Sequence, residues 1–339
     1  MKEHRTDHVG RALSRRSALT WLLAMAGSTV IRLPVKAAAG TPVTRFGVIT
    51  DVHQDVMPDG VERVRAFVAA MTEARADFVL QLGDFCQPKP ANLDFLAAWN
   101  TFAGPRYHVL GNHDMDGGFT REQTVAYYGM PARHYTFDGG SFLGVVLDGN
   151  EPGGKLKGYK RYVAAEQRAW LERTLADAGK PVVVFIHQPL DDAQGVENAP
   201  DVRGLLQAAE QRRAGSVLAV FSGHLHQDYL RELDGLPYAQ INSASYYWVD
   251  AAGKSTAYYP PEVHQRHSSL QYVAAYRDPL WALVEVDRAA GEIRVHGRLT
   301  EWVGPSAPER ARMAGTVPNR AFILPSVSDR RIKLPAGVS

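Results

Sequence analysis

Five short apolar runs in this chain each stop at residues that can bind a cation, and that placement constrains the fold more than any other feature. Runs at 45–50, 78–82, 106–110, 182–186 and 217–222 read as buried strands, with a sixth at 142–147. They end in Asp51-Val52-His53, Gly83-Asp84, Gly111-Asn112-His113-Asp114, His187, and Gly223-His224-Leu225-His226. Helical patterns at 61–75, 92–102 and 165–178 lie between them. Strands buried on both faces and alternating with helices indicate an α/β layered domain. In such sheets ligands collect beyond the carboxyl ends of the strands, so the polar ends are expected to converge. One strand-terminal Asp-x-His or Gly-Asp is ordinarily a turn or a cap. Five in order, each at a strand end, point to one shared site.

The second half is patterned differently. Short hairpin-like runs at 229–233 and 239–241, and at 281–286 and 293–298, suggest antiparallel strands. Residues 243–280 break the rhythm with several tyrosines, a Pro-Pro pair and two histidines, and are expected to form an inserted aromatic-rich loop. From 303 to 339 periodicity fades while Pro and Arg stay frequent, which suggests an extended C-terminal tail. The catalytic domain is then expected to span 40–302.

Charge and cysteine usage narrow the chemistry. Over 339 residues the net charge is only +2, too small a surplus to mark a nucleic-acid footprint, and a small anion is the expected ligand. The single cysteine, Cys86, cannot form an intrachain disulfide or build a thiolate site alone. Any metal must be held by oxygen and imidazole, a donor set that suits Mn, Fe or Zn.

Residues 1–39 read as a targeting segment. Arg15-Arg16 precede an apolar run at 18–31, and Ala37-Ala38-Ala39 offers a small-residue cleavage site. The run is shorter than the roughly 20 residues that span a bilayer, so no stable membrane anchor is expected. The arginine pair resembles a bacterial twin-arginine signal, although Ala18 stands where that signal usually has Phe. It implies export of the folded protein by the twin-arginine translocase to the periplasm or beyond. An ordinary secretory signal with a chance arginine pair is the alternative.

Asp51-x-His53, Gly83-Asp84, Gly111-Asn112-His113-Asp114, His187 and Gly223-His224-x-His226 together resemble the signature of the calcineurin-like metallophosphoesterases, over residues about 45 to 300. The resemblance implies a four-layer α/β/β/α sandwich, two mixed sheets flanked by helices. It also implies one metal held by Asp51, His53 and His226, a second by Asn112, His187 and His224, and Asp84 bridging both. His113 is then the catalytic group that meets substrate. The implied reaction is hydrolysis of a phosphomonoester or a small phosphodiester by a hydroxide bridging two divalent metals. A nuclease is the alternative within the family. A noncatalytic scaffold is the alternative outside it, but loss of ligands would be expected there.

Two positions depart from better-known branches of the family. The residue three after the bridging Asp is Gln87, neither the Tyr of purple acid phosphatases nor the Asp of phosphoprotein phosphatases. What orients His113 is therefore open, with Asp114 as the candidate. Tyr246, Tyr247, Trp248 and His264 are candidate substrate contacts if the segment 243–280 rims the pocket. Packing of that segment on its own domain is the competing reading. Cys86 is expected to be a buried small hydrophobe, and His108, His134 and His296 to be structural or surface residues.

Overall fold

In a computed structural model, residues 43–317 and 321–335 are described. The elements run β1 (Thr44–Ile49), α1 (Gly60–Glu73), β2 (Phe78–Gln81), α2 (Leu93–Asn100), β3 (Arg106–His108) and α3 (Arg121–Tyr128). Next come β4 (Tyr135–Asp138), β5 (Leu143–Val146), α4 (Ala165–Asp177), β6 (Val182–Phe185), α5 (Ala199–Arg212) and β7 (Val217–Ser222). They are followed by β8 (Tyr229–Leu233), β9 (Leu236–Gln240), β10 (Tyr246–Trp248), α6 (Pro261–Arg266), β11 (Val273–Ala275) and β12 (Ala282–Asp287). The last are β13 (Glu292–His296), β14 (Arg298–Leu299), α7 (Ala307–Met313), β15 (Ser326–Val327) and β16 (Arg330–Lys333).

Two mixed six-stranded sheets form the centre, in the orders β16-β13-β12-β1-β2-β3 and β4-β5-β6-β7-β9-β8. They face each other through phenylalanines. Phe46 of β1 stacks on Phe78 of β2 at 4.9 Å and meets Phe185 of β6 edge-on at 5.8 Å and Phe221 of β7 at 6.1 Å. All four are almost wholly buried, and such aromatic pairs add stabilisation beyond their buried area. On the outer face of the first sheet, Phe67 of α1 stacks on Trp99 of α2. Gly47 of β1 admits α1 closely, since a Cβ there would lie 2.4 Å from the Met71 side chain. On the outer face of the second sheet, Leu171 of α4 and Val202 and Leu206 of α5 pack with Val184 and Val220. The four layers expected from the resemblance are thus present.

Several expectations need correction. Strands β1, β2, β3 and β6 end one or two residues earlier than read, because the ligand-bearing residues leave the ladder to turn, whereas β7 ends at Ser222 as read. Helices α3 and α5 and strand β4 were not read. Helix α3 is fixed locally, by a capping box in which Thr120 and Gln123 satisfy each other's backbone N–H groups. Segment 243–280 is not a loop throughout: β10 pairs antiparallel with β11 and carries the fully buried Tyr246. The C-terminal segment is not an extended arm within the described residues. It contributes α7 and then β16, which pairs with β13 and buries Ile332 while Arg331 and Lys333 point outward. Positive charges on an edge strand discourage pairing with another chain. Among the described residues no helix is long and apolar enough to cross a membrane.

Candidate metal centre

The strand ends meet at one edge of the sandwich. After β1 the backbone runs beside the segment after β2, with Asp51 N–H donating to Gly83 O and His53 N–H to Asp84 O, each at 3.0 Å. Asp51, His53, Asp84, His224 and His226 all have positive φ, between 50° and 74°. Non-glycine residues pay for that conformation, and it concentrates at functional sites where the surroundings enforce it. Gly111 lets the loops after β2 and β3 close together, since a Cβ there would sit 2.0 Å from the Asp84 nitrogen.

Two groups of side chains converge. Asp51, His53 and His226 form one and Asp84, His187 and His224 the other, with donor atoms in each within 4.8 Å of one another. Asp84 Oδ2 lies 3.1 Å from His187 Nε2 and 3.7 Å from His53 Nε2, so one carboxylate oxygen faces both groups. Asp51 Oδ1 lies 3.1 Å from His226 Nε2. Asp51 Oδ1, Asn112 Oδ1 and His187 Nε2 are buried and make no hydrogen bond. Buried polar atoms left without partners are costly, and here Asp51 Oδ1 and His187 Nε2 belong to the two convergent groups while Asn112 lines the cleft beside them. The donors fit two divalent cations.

Backbone carbonyls set the imidazoles. His187 Nδ1 lies 2.7 Å from Leu82 O and His226 Nδ1 lies 2.6 Å from Tyr246 O, which leaves each Nε2 toward the centre. Thr50 Oγ1 and the His224 N–H both donate to Asp51 Oδ2, leaving Oδ1 for a cation. Burial works against charge on Asp84, yet the imidazoles of His187 and His113 outweigh it and hold the carboxyl well below its usual range. Burial likewise pulls His187 down, but Asp84 and then Asp51 raise it to about 9.

That shift has a measurable consequence. Raised above the ordinary imidazole range, His187 is protonated at pH 7 in metal-free protein, and the proton must leave when a cation binds. Apparent affinity is expected to rise from pH 7 toward pH 9, by up to about tenfold per unit for each proton displaced. Calorimetry in buffers of differing ionisation heat reads the proton release directly. An affinity flat across that window, with no proton released, would rule this out.

His113 stands beside the two groups. Its N–H donates to Asp84 Oδ1 at 2.7 Å, while its side chain lines the open cleft. Its ring nitrogen Nδ1 lies 2.6 Å from Asp116 Oδ2 and 3.0 Å from the Tyr159 hydroxyl, which itself donates to Asp116 Oδ1 at 2.8 Å. Asp116 therefore takes the orienting place for which Asp114 was the candidate. Asp114 is buried and braces the loops, its two oxygens accepting from Phe85 N–H and Gly111 N–H. Spacing could have revealed Asp116, because the turn His113–Met115 is a 3₁₀ turn and places residue i+3 over residue i. Tyr159 carries no such signal, coming from a loop 46 residues away.

The candidate substrate contacts divide. Tyr247 and Trp248 line the cleft together with Gln194 and Leu225, which were not anticipated. Tyr246 lies beneath it, fully buried, its ring 5.0 Å from that of His53 and 5.1 Å from that of His226. His264 does not line it and packs beside Tyr259 on α6. The remaining residues are structural. Cys86 is buried and its thiol is pushed well up by burial, and Trp99 Nε1 donates to His108 Nε2, whose ring burial holds at about 3.

Two solved structures share the fold. A dimetal phosphatase from Danio rerio is 16% identical, with 87% of this chain and 100% of that chain covered and a TM-score of 0.57. GAP50, described as the anchor in the inner membrane complex of Plasmodium, is 14% identical, with 86% and 89% covered and a TM-score of 0.54. No curated protein sequence matches the chain significantly. The family model for calcineurin-like phosphoesterases matches residues 44–228, a stretch that carries all seven of the expected ligands and His113 and ends just past His226. The chain belongs to the calcineurin-like phosphoesterase family and is a metal-dependent phosphoesterase.

Proposed function

We propose that the protein hydrolyses phosphomonoesters or small phosphodiesters at a centre of two transition-metal ions, Mn, Fe or Zn, in the bacterial periplasm or outside the cell. The observation that carries the reading is the position of Asp84, one oxygen of which faces both ligand groups. Such a pair supplies Lewis-acid polarisation of phosphoryl oxygens and a nucleophile at neutral pH. Asp51 and Asp84 are the carboxylates of the ligand set, and the neutral donors of the imidazoles and Asn112 leave it net positive toward an anionic ester. His113 holds its proton for the departing oxygen, Asp116 fixing the ring through Nδ1. Trp248 and Tyr247 wall the cleft. A panel of phosphomonoesters, phosphodiesters and single- and double-stranded DNA, assayed with Mn, Zn, Fe and Mg reconstituted separately, tests this. Turnover of DNA alone would make the protein a nuclease, and turnover of nothing would leave a metal-binding scaffold.

The export reading rests on residues 1–39, which lie outside the described residues. Folded export would let the protein take its metals in the cytoplasm, before competition outside selects the ion. Arg15→Lys together with Arg16→Lys is expected to leave a longer, unprocessed precursor in the cytoplasm, visible by immunoblot after fractionation. Normal processing of that double variant would return the signal to the ordinary secretory class.

A further inference from the structure

The cleft over the two ligand groups has a volume of about 240 Å³, room for a phosphoryl group and the first part of the alcohol it is esterified to. Beyond Tyr247 and Trp248 lies a space of only about 30 Å³, enough for one or two waters. On the other side, Asn112 and Tyr159 are shared with a cavity of about 440 Å³. His113 stands at that junction, lining the cleft, while its partner Asp116 lines the second cavity. A proton donated by His113 has to reach the leaving oxygen, so that oxygen belongs beside His113 and the carbon behind it is directed into the larger space.

We propose that this second cavity is the leaving-group subsite and that it takes an alcohol bearing a ring or an equally large apolar body. The inference rests on the phosphoesterase reading of the cleft. Met115, Phe119, Pro152 and Tyr159 give the cavity apolar and aromatic walls. Glu122 and Lys160 stand exposed at its rim, while most polar groups further in are already engaged. Arg121 is paired with Asp148 at 2.8 Å, and Asn150 donates to Leu110 O and accepts from Gln188. The Thr120 hydroxyl caps α3, and Asp116 is held by His113 and Tyr159. A polyhydroxylated alcohol would find few free partners inside, whereas a ring finds faces to pack on. The Tyr159 wall is held in place, since both oxygens of Glu197 accept from the backbone of its loop, at Lys155 N–H and Leu156 N–H.

Non-hydrolysable probes separate binding from chemistry. On metal-loaded protein, calorimetry compares 2-phenylethylphosphonate with ethylphosphonate. Burying the ring is expected to tighten binding by roughly 10–100-fold. Phe119→Ala should cut that ratio to about 3-fold or less while ethylphosphonate binds as before, which also reports an intact metal centre. Met115→Ala, another wall of the same cavity, is the second variant. Equal affinity for the two phosphonates, or a ring preference unchanged in both variants, overturns the proposal. The matching esters, 2-phenylethyl phosphate and ethyl phosphate, have similar leaving oxygens and should show the same preference in kcat/KM. Hydrolysis of both without ring preference removes the subsite and leaves the phosphoesterase reading standing. Ring-dependent binding with hydrolysis of neither supports the cavity and removes that reading.

Discussion

Replacing Asp84 by Asn is expected to strip both cations together and to abolish turnover in parallel. The substitution keeps side-chain volume and leaves an oxygen that can still accept from the His113 N–H, a bond of 2.7 Å in the structure. What it removes is negative charge at the one atom lying 3.1 Å from His187 Nε2 and 3.7 Å from His53 Nε2. Loss of a partner outside the coordination sphere typically costs roughly 10–100-fold in metal affinity, and loss of a shared carboxylate should exceed that for both ions. Substitution of His53 or His187 should instead weaken chiefly the ion on its own side. Metal analysis after dialysis, paired with phosphoesterase assays on the same samples, distinguishes the two patterns. Tight retention of two metal equivalents by Asp84→Asn, with normal turnover, would show that Asp84 is not shared.

The ligands were legible because each follows a strand within a few residues, where an apolar run gives way to Gly, Asp, Asn or His, although β3 is a partly exposed edge strand and not the buried one expected at 106–110. A strand end fixes position in space as well as in sequence, and parallel neighbours such as β1, β2 and β3 bring theirs to one edge. Tyr246 was noticed for its aromatic company, but its role comes from burial and from a carbonyl that accepts from His226, and side-chain identity cannot announce a carbonyl. Strand β16 was missed for a related reason. Four residues with one apolar side chain, Ile332, show no period, and the segment becomes a strand only because β13 offers it an open edge. The link between Tyr159 and His113 depends on a loop held by Glu197, a contact that neither local segment encodes alone.

His113→Ala is expected to keep both metals and to lose turnover by about 10²–10⁴-fold on an ester of an alkyl alcohol, the range that positioned proton transfer contributes. The side chain is in neither ligand group, so metal content should be unchanged. On p-nitrophenyl phosphate, whose leaving group departs without a proton, the loss should be much smaller. Asp116 lets the same idea be tested without touching the acid. Burial lowers the His113 pKa, but Asp84 and Asp116 more than compensate and raise it above the ordinary imidazole value. Cations bound at Asp84 would oppose that rise, which leaves Asp116 as the partner that keeps the ring protonated, and activity that needs the acid form falls as pH rises through the His113 pKa. Asp116→Asn weakens one of the two raising groups, so the basic limb of the kcat profile for an alkyl ester should move to lower pH, with metal content unaltered. Tyr159→Phe leaves both carboxylates in place and should move that limb much less. Equal losses on alkyl and p-nitrophenyl esters in His113→Ala, with no movement of the limb in Asp116→Asn, would assign His113 to electrostatic stabilisation of the phosphoryl group and not to proton donation.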